Sequence, residues 1–258
     1  MEILNKRQHD LLSLAEQEGY VSVENLAETF EVTQQTIRRD INNLCNKELL
    51  KRTHGGAFYS AGVRNFDYSS RKSIASDEKK EIANEVAAII PENSSIAINI
   101  GTTTEQVAQS LLSHKGLKVI TNNINIVNIF SQSNNTEIWL AGGKVRNLDS
   151  AVVGKNTADF IRQFKVDYAV VGVSAIDNDG SLMDFDYEEV LVSKAIFNQC
   201  RKLILVADNF KFDRTAPMLI GNISEIDILV TNIHPSPEII NLCDTNNIEI
   251  IVATSSNN

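Results

Sequence analysis

The sequence predicts a two-part α/β protein. Residues 1–57 should form a small domain of three helices and a hairpin, and residues 79–258 a larger domain on a mainly parallel sheet, with 58–78 as the linker. Three observations carry this reading. Apolar residues recur at helical spacing through the N-terminal stretch. From Lys79 onward, short apolar runs alternate with amphipathic stretches, which is the pattern of βαβ units. The length of 258 residues exceeds one typical domain and falls short of three.

The N-terminal elements follow in order. Residues 6–18 read as a helix with Leu11, Leu12, Leu14 and Ala15 on one face, closed by Gly19. Residues 23–30 make a short second helix that Ser22 can cap. Thr33 caps a third helix from Gln34 to about Lys47, with Ile37, Ile41 and Leu44 turned inward. Residues 49–57 are β-branched and basic and end in Gly55-Gly56, which fits a small hairpin. Three helices and a hairpin in this order make a winged helix-turn-helix.

With its apolar side inward, the third helix presents Gln34, Gln35, Arg38, Arg39 and Asn42 outward. Arg pairs with guanine O6/N7, and Gln or Asn with adenine N6/N7, so these side chains suit base edges. Thr33 and Thr36 stand at the helix start, where phosphate is also favoured. Arg52 and His54 on the hairpin would lie over the DNA backbone or the minor groove. The charge pattern agrees. The chain carries −9 overall, yet residues 32–57 hold five basic and two acidic side chains, net +3. Residues 1–31 hold two basic and seven acidic, net −5. A basic island in an acidic chain is what a small DNA-reading surface on a larger sensor gives. Periodicity alone does not decide this, because any amphipathic helix turns polar residues outward.

In the larger part, strands are expected near 95–100, 117–121, 137–141, 166–173, 202–207, 226–231 and 248–252, with helices between several of them. Four loops follow strand ends. Gly101-Thr102-Thr103-Thr104 turns straight into a helix whose N–H groups favour an anion. Thr121-Asn122-Asn123 comes next, then Gly142-Gly143-Lys144-Val145-Arg146, then Asp208-Asn209-Phe210-Lys211. Ligands of open α/β sheets bind at the carboxyl ends of the strands, so these loops together suggest a phosphate-favouring pocket.

Composition excludes several classes. No apolar run is long enough to span a bilayer, and residues 1–10 lack a signal-peptide core, so a cytoplasmic protein without membrane contact is expected. Cys45, Cys200 and Cys243 are isolated, as are the four histidines, and no metal or cofactor is expected. An enzyme acting on sugar phosphates remains a competing class, because carboxylates cluster at Asp177, Asp179, Asp184, Asp186, Glu188 and Glu189.

Val32-Thr33-Gln34-Gln35-Thr36-Ile37-Arg38-Arg39-Asp40, followed by Arg52-Thr53-His54-Gly55-Gly56-Ala57, resembles the pattern of DeoR-family bacterial repressors. That pattern is V-[ST]-x-x-T-[IV]-R-R-D-L followed by R-x-H-G-G-A, and Ile41 stands where it has Leu. The four loops in their order, with Glu78-Lys79 and Ile82-Ala83 ahead of them, resemble the sensor of the same family. The resemblance implies a Rossmann-like, phosphosugar isomerase-type sensor fold, shared with ribose-5-phosphate isomerase and glucosamine-6-phosphate deaminase. It implies that Gly101, Thr102, Thr103 and Thr104 hold a phosphate, that Lys211 supports it, and that Asn122, Arg146 and Glu189 shape the sugar or polyol end. It also implies a homo-oligomer, a tetramer by preference, on an operator with repeated half-sites. The segments INIGTTTEQVA, VITNNINI, LAGGKVR and IDNDGSLMDFDYEEV point within the family to sn-glycerol 3-phosphate as inducer. Relatives that sense other sugar phosphates, such as hexose phosphates, are the alternative. The deaminases carry Asp-Gly-His where this chain has Asp179-Gly180-Ser181, which weighs against catalysis. The DNA-binding half does not separate repression from activation.

Overall fold

The computed structural model describes residues 4–47, 49–53, 55–59, 68–212 and 214–254. The chain divides into two compact units, Met1–Ala75 and Ser76–Asn258.

In the first unit, α1 (Lys6–Glu18) opens on a capping box. The Asn5 side chain accepts from the Gln8 N–H, and the Gln8 side chain accepts from the Asn5 N–H. Gly19, at φ 78°, ends the helix. Then follow β1 (Tyr20–Ser22), α2 (Val23–Thr29), α3 (Gln34–Asn46), β2 (Leu50–Thr53), β3 (Gly56–Tyr59) and α4 (Tyr68–Ser73). Ser22 and Thr33 cap α2 and α3 as their positions predict. The hairpin gains a third strand, β1, in the antiparallel order β1-β3-β2. Three residues are too short to show a period, so β1 was not expected. Leu11, Ala15, Val21, Leu26, Ile37, Ile41, Leu44 and Leu50 form one core beneath helices and hairpin, completing a winged helix-turn-helix.

The second unit begins with α5 (Ser76–Ile89), β4 (Ser95–Ile98), α6 (Thr102–Ser110), β5 (Leu117–Thr121), α7 (Ile124–Phe130) and β6 (Thr136–Leu140). A hairpin of β7 (Lys144–Arg146) and β8 (Ala151–Val153) leads to α8 (Lys155–Ile161) and β9 (Val166–Gly172). Next come β10 (Ala175–Ile176), β11 (Ser181–Asp184), α9 (Tyr187–Asn198), β12 (Cys200–Ala207) and β13 (Met218–Asn222). The unit ends with β14 (Ile228–Thr231), α10 (Pro237–Thr245) and β15 (Glu249–Val252).

Seven of these strands form a parallel sheet in the order β15-β14-β12-β9-β4-β5-β6. This is the parallel α/β sheet that the alternating pattern predicts. Both faces are covered, as the alternation along β12 shows: Leu203, Leu205 and Ala207 join one apolar cluster, Ile204 and Val206 the other. Two additions fall outside the prediction. The β7-β8 hairpin occupies what reads in sequence as a loop, and β10, β11 and β13 form a small antiparallel sheet. All five strands are two to five residues long.

The strand order fixes where a ligand can sit. From β4 the chain proceeds outward through β5 to β6, then returns to build β9, β12, β14 and β15 on the other side. The reversal lies between β4 and β9, and it is there that open α/β sheets leave a crevice at their carboxyl edge.

Candidate functional site

On α3 the inward face is Ile37, Ile41 and Leu44, each almost fully buried. Gln34, Gln35, Arg38, Arg39 and Asn42 are exposed and span an arc of about 140° at 100° per residue. Thr33 is exposed and Thr36 half-buried. The Thr36 N–H donates to Thr33 Oγ1 at 3.3 Å, and the two hydroxyls lie 3.0 Å apart. Arg38 donates to Gln34 Oε1 at 3.3 Å. Arg52 on β2 donates to Asn42 Oδ1, tying the hairpin to the outer face of α3. His54 lies outside the described residues.

Two neighbours of these residues act inward. Asp40 follows the two arginines yet is only 5% exposed. It accepts from Arg7 Nε at 2.6 Å and from Gln8 Nε2 at 3.0 Å, clamping α3 to α1. Gly55 takes φ 83°, and a Cβ on Gly56 would lie 2.2 Å from the Val21 carbonyl oxygen. Gly55 is therefore required by the backbone turn of the hairpin, and Gly56 by its packing against β1.

In the second unit, the loops after β4, β5, β6, β9 and β12 share one edge of the sheet. Asn99 stitches the reversal point. Its amide donates to the Gly172 carbonyl and accepts from the Gly172 N–H, both at 2.9 Å. Gly101 follows at φ 149°, and a Cβ there would press to 3.2 Å of Thr104 Oγ1. α6 begins one residue later and Gly101 supplies no side-chain cap, so a helix N-terminus, which favours an anion, stands at the carboxyl end of β4. The helix starts at Thr102, earlier than the sequence suggests, so all three threonines sit in its first turn.

Thr102 and Thr103 are 8% and 6% exposed. Thr104 differs from its expected role. It is fully buried, and its hydroxyl is turned to the Asn99 and Gly101 carbonyl oxygens, both at 2.9 Å. It shapes the loop rather than offering a donor to a ligand.

Asn122 is 1% exposed. Its Nδ2 donates to the Val152 carbonyl at 2.9 Å, while its buried Oδ1 has no partner among the described residues. Gly143 answers to packing, whereas a Cβ on Gly142 would meet open space. Thr157 Oγ1 donates to the Gly142 carbonyl at 3.1 Å and would lie 2.2 Å from a Cβ on Gly143. Lys211 is half-buried at the end of a short turn that Asp208 caps, beyond β12. β12 is two strands from β4, so that turn and the Gly101 loop are about 10 Å apart at strand spacing.

Arg146 departs most from expectation. Its guanidinium is already committed: Nε and Nη2 to Asp149 at 2.9 and 2.7 Å, Nη1 to Asp186 at 2.7 Å, and Nη2 to Glu189 at 2.7 Å. Burial works against its charge, but the hydrogen bonds and charges of Asp149 and Glu189 outweigh that and raise its pKa further. Burial likewise opposes ionisation of Asp186, yet bonds from Arg146 and from the Glu189 and Glu188 N–H groups hold its carboxyl below the usual range. Arg146 thus joins three carboxylates, those of Asp149, Asp186 and Glu189.

The cluster is wired to α6. The Asp149 carbonyl accepts from Asn125 Nδ2 at 3.1 Å, and Asn125 and Asn123 both donate to Glu105 Oε1 at 3.0 Å. Asn99, Glu105, Asn125 and Asp149 were missed as site residues, and Asp186 was named only among the carboxylates of the competing enzyme reading. Asp186 alone carried a local signal, an acidic residue just before a helix. Among the described residues, no group of His, Cys, Asp and Glu could hold a metal ion, the three cysteines are free, and no helix is long and apolar enough to cross a membrane.

Comparison with known proteins adds independent findings. A family model for the DeoR C terminal sensor domain matches residues 74–233, and one for the DeoR-like helix-turn-helix domain matches residues 7–61. The glycerol-3-phosphate regulon repressor of Escherichia coli (strain K12) is 41% identical over 245 residues, covering 95% of this chain and 97% of that protein. The protein of the same name from Haemophilus influenzae is 44% identical over 225 residues, covering 87% and 88%. Among solved structures, ribose 5 phosphate isomerase A from Neisseria gonorrhoeae aligns at 16% identity and TM-score 0.40, covering 54% of each chain.

Proposed function

The chain belongs to the DeoR family, and from that premise we propose that it is a transcriptional repressor of a sugar or polyol catabolic operon whose operator it releases when sn-glycerol 3-phosphate binds. It is a regulator and not an enzyme, as its relatives are named repressors and it carries a DNA-binding domain. The observation that carries the proposal is the pairing, in one chain, of an outward base-reading arc on α3 with an uncapped helix N-terminus at the reversal point of a parallel sheet. The names of the relatives at 41% and 44% identity support glycerol 3-phosphate over other sugar phosphates.

In this reading Gln34, Gln35, Arg38, Arg39 and Asn42 meet base edges in the major groove. Thr33 and Thr36 meet phosphate, and Arg52 and His54 the backbone or minor groove. The N–H groups of Thr102, Thr103 and Thr104 hold the inducer's phosphate with Lys211 in support. Asn122 and the Arg146–Glu189 cluster face its polyol end. One winged helix reads few base pairs, so a homo-oligomer, a tetramer by preference, engages repeated half-sites in the cytoplasm. Residues 58–78 link the two parts. By linkage, inducer lowers operator affinity by the factor that operator lowers inducer affinity, about 5- to 150-fold per coupled site.

The test is titration of the purified chain against DNA from upstream of its own and neighbouring genes. It is repeated with glycerol 3-phosphate, with fructose 6-phosphate and with plain glycerol. A specific complex released by glycerol 3-phosphate alone supports the whole proposal. Release by fructose 6-phosphate instead removes the inducer and keeps the repressor. Failure to bind any fragment at moderate salt removes both.

A further inference from the structure

At one end of the parallel sheet, β6 is paired along a single edge, to β5. Natural edge strands are guarded by Lys, Pro, bulges or a covering segment, because their free N–H and C=O groups recruit other chains. β6, Thr136-Glu137-Ile138-Trp139-Leu140, has no Lys or Pro and pairs with β5 in unbroken register. It is also apolar where it meets water. Trp139 and Leu140 are 43% and 40% exposed, and Val145 and Leu148 on the following hairpin are exposed too. These are four of the seven large apolar side chains exposed among the described residues, all between positions 139 and 148. The opposite edge, β15, keeps Ile250, Ile251 and Val252 half-buried.

The backbone shows which groups are free. The Ala141 N–H donates to the Thr121 carbonyl, and the Asn135 carbonyl accepts from the Gly116 N–H. The odd-numbered residues of β6 therefore turn their N–H and C=O groups toward β5, and Thr136, Ile138 and Leu140 turn theirs outward. Side chains divide on the same alternation. Ile138 packs against the apolar cluster on one face of the sheet, and Trp139 meets the Phe164 ring edge-on at 5.4 Å on the other.

We propose that β6 pairs antiparallel with β6 of a second copy about a two-fold axis at Ile138, joining the two sheets into one. That surface serves the homo-oligomer proposed above, on which the inference rests. A two-fold axis perpendicular to the sheet keeps each side chain on its own face, so it must pass through a residue. Centred on Ile138, the pairing sets Thr136 opposite the partner's Leu140 and uses all the outward residues of both copies, with about six main-chain hydrogen bonds. Centred on Glu137 or on Trp139, it leaves one outward residue of each copy unused, and the Glu137 centre also sets two carboxylates directly against each other. The Ile138 centre instead sets Glu137 opposite the partner's Trp139, about 5 Å apart between Cβ atoms. The Trp139 indole N–H donates to its own Glu137 at 3.1 Å and would then have an acceptor in either copy. This self-complementarity favours a second copy over an unrelated strand. A strand of five residues is short of the roughly 1,000 Å² of a specific interface, and Leu140, Val145 and Leu148 add apolar area beside it.

Light scattering on the full chain after gel filtration, together with a crosslink, checks this. The unaltered chain should be a dimer or larger. Leu140→Pro removes an outward N–H that no strand of its own copy uses, so it should keep a cooperative thermal transition yet weaken association at least about tenfold. Ile138→Cys places two thiols on Cα atoms about 5.5 Å apart, within disulfide reach, and mild oxidation should yield a covalent dimer. Leu140→Cys would hold its thiols about 13 Å apart or more. It should yield no more covalent dimer than the unaltered chain with its free Cys45, Cys200 and Cys243. A monomeric unaltered chain overturns the inference and the homo-oligomer with it. An oligomer in which Ile138→Cys crosslinks no better than Leu140→Cys overturns the inference and leaves the homo-oligomer on another surface. A folded Leu140→Pro chain that associates as strongly as the unaltered one does the same, and where that variant does not fold the crosslink decides.

Discussion

Asp40 shows how much a single residue's direction matters. Arg38, Arg39 and Asp40 are consecutive, yet the arginines face outward and Asp40 inward to Arg7 and Gln8. Asp40→Ala leaves the buried Gln8 amide without its acceptor and should cost about 1–3 kcal/mol, toward the lower end because Arg7 is one-third exposed to water. It should lower Tm and operator affinity together. Arg38→Ala should abolish operator binding with Tm unchanged, since Arg38 is exposed and its one bond is to exposed Gln34. Thermal unfolding beside DNA titration separates the two, and a stable Asp40→Ala protein would remove the clamp. Asp186 gives a pH signature. Its folded-state pKa is depressed, so its contribution is full above the ordinary carboxylate value of about 4 and is lost as pH falls through the lower folded value. Tm of the sensor should therefore drop below about pH 4, and Asp186→Asn should flatten that drop. A wild-type profile without it would refute the assignment.

At the scale of elements, the first turn of α6 holds the most consequential geometry. Gly101 at φ 149° carries the chain into a helix that no side chain caps. Gly101→Ala should weaken glycerol 3-phosphate binding at least about tenfold, because an L side chain at this φ costs on the order of 1–3 kcal/mol. Operator binding should persist but ignore inducer. Normal induction in this variant would take the phosphate away from α6. Elements with a clear period were legible before any coordinates: α1 and α3 from apolar spacing, the parallel strands from apolar runs such as LILVA. Short strands were not, because β1, β7, β8, β10 and β11 are defined by partners rather than by pattern. Site residues divided the same way. Gly101 and the outer residues of α3 could be read from position along one element. The Arg146 cluster could not, since its partners lie 3, 40 and 43 residues away and meet only through the hairpin and α9.

At the scale of the whole molecule, each unit has its own apolar core. A ligand held only by the sensor should then stabilise that unit selectively. At a hundred times its Kd, glycerol 3-phosphate adds about 2.7 kcal/mol to the stability of the state that binds it. For a domain of this size that shifts Tm by roughly 5–10 °C. Scanning calorimetry should show this shift in the sensor transition and none with plain glycerol, whereas a shift confined to the winged domain would contradict the division of labour. The glycine pair of the hairpin adds a genetic consequence. Almost any single-base change in the first two positions of a glycine codon installs a side chain, and at Gly56 there is no room for even the smallest. Spontaneous mutants that express the controlled genes without inducer should therefore turn up repeatedly at this codon, although glycine has no side chain with which to touch a base.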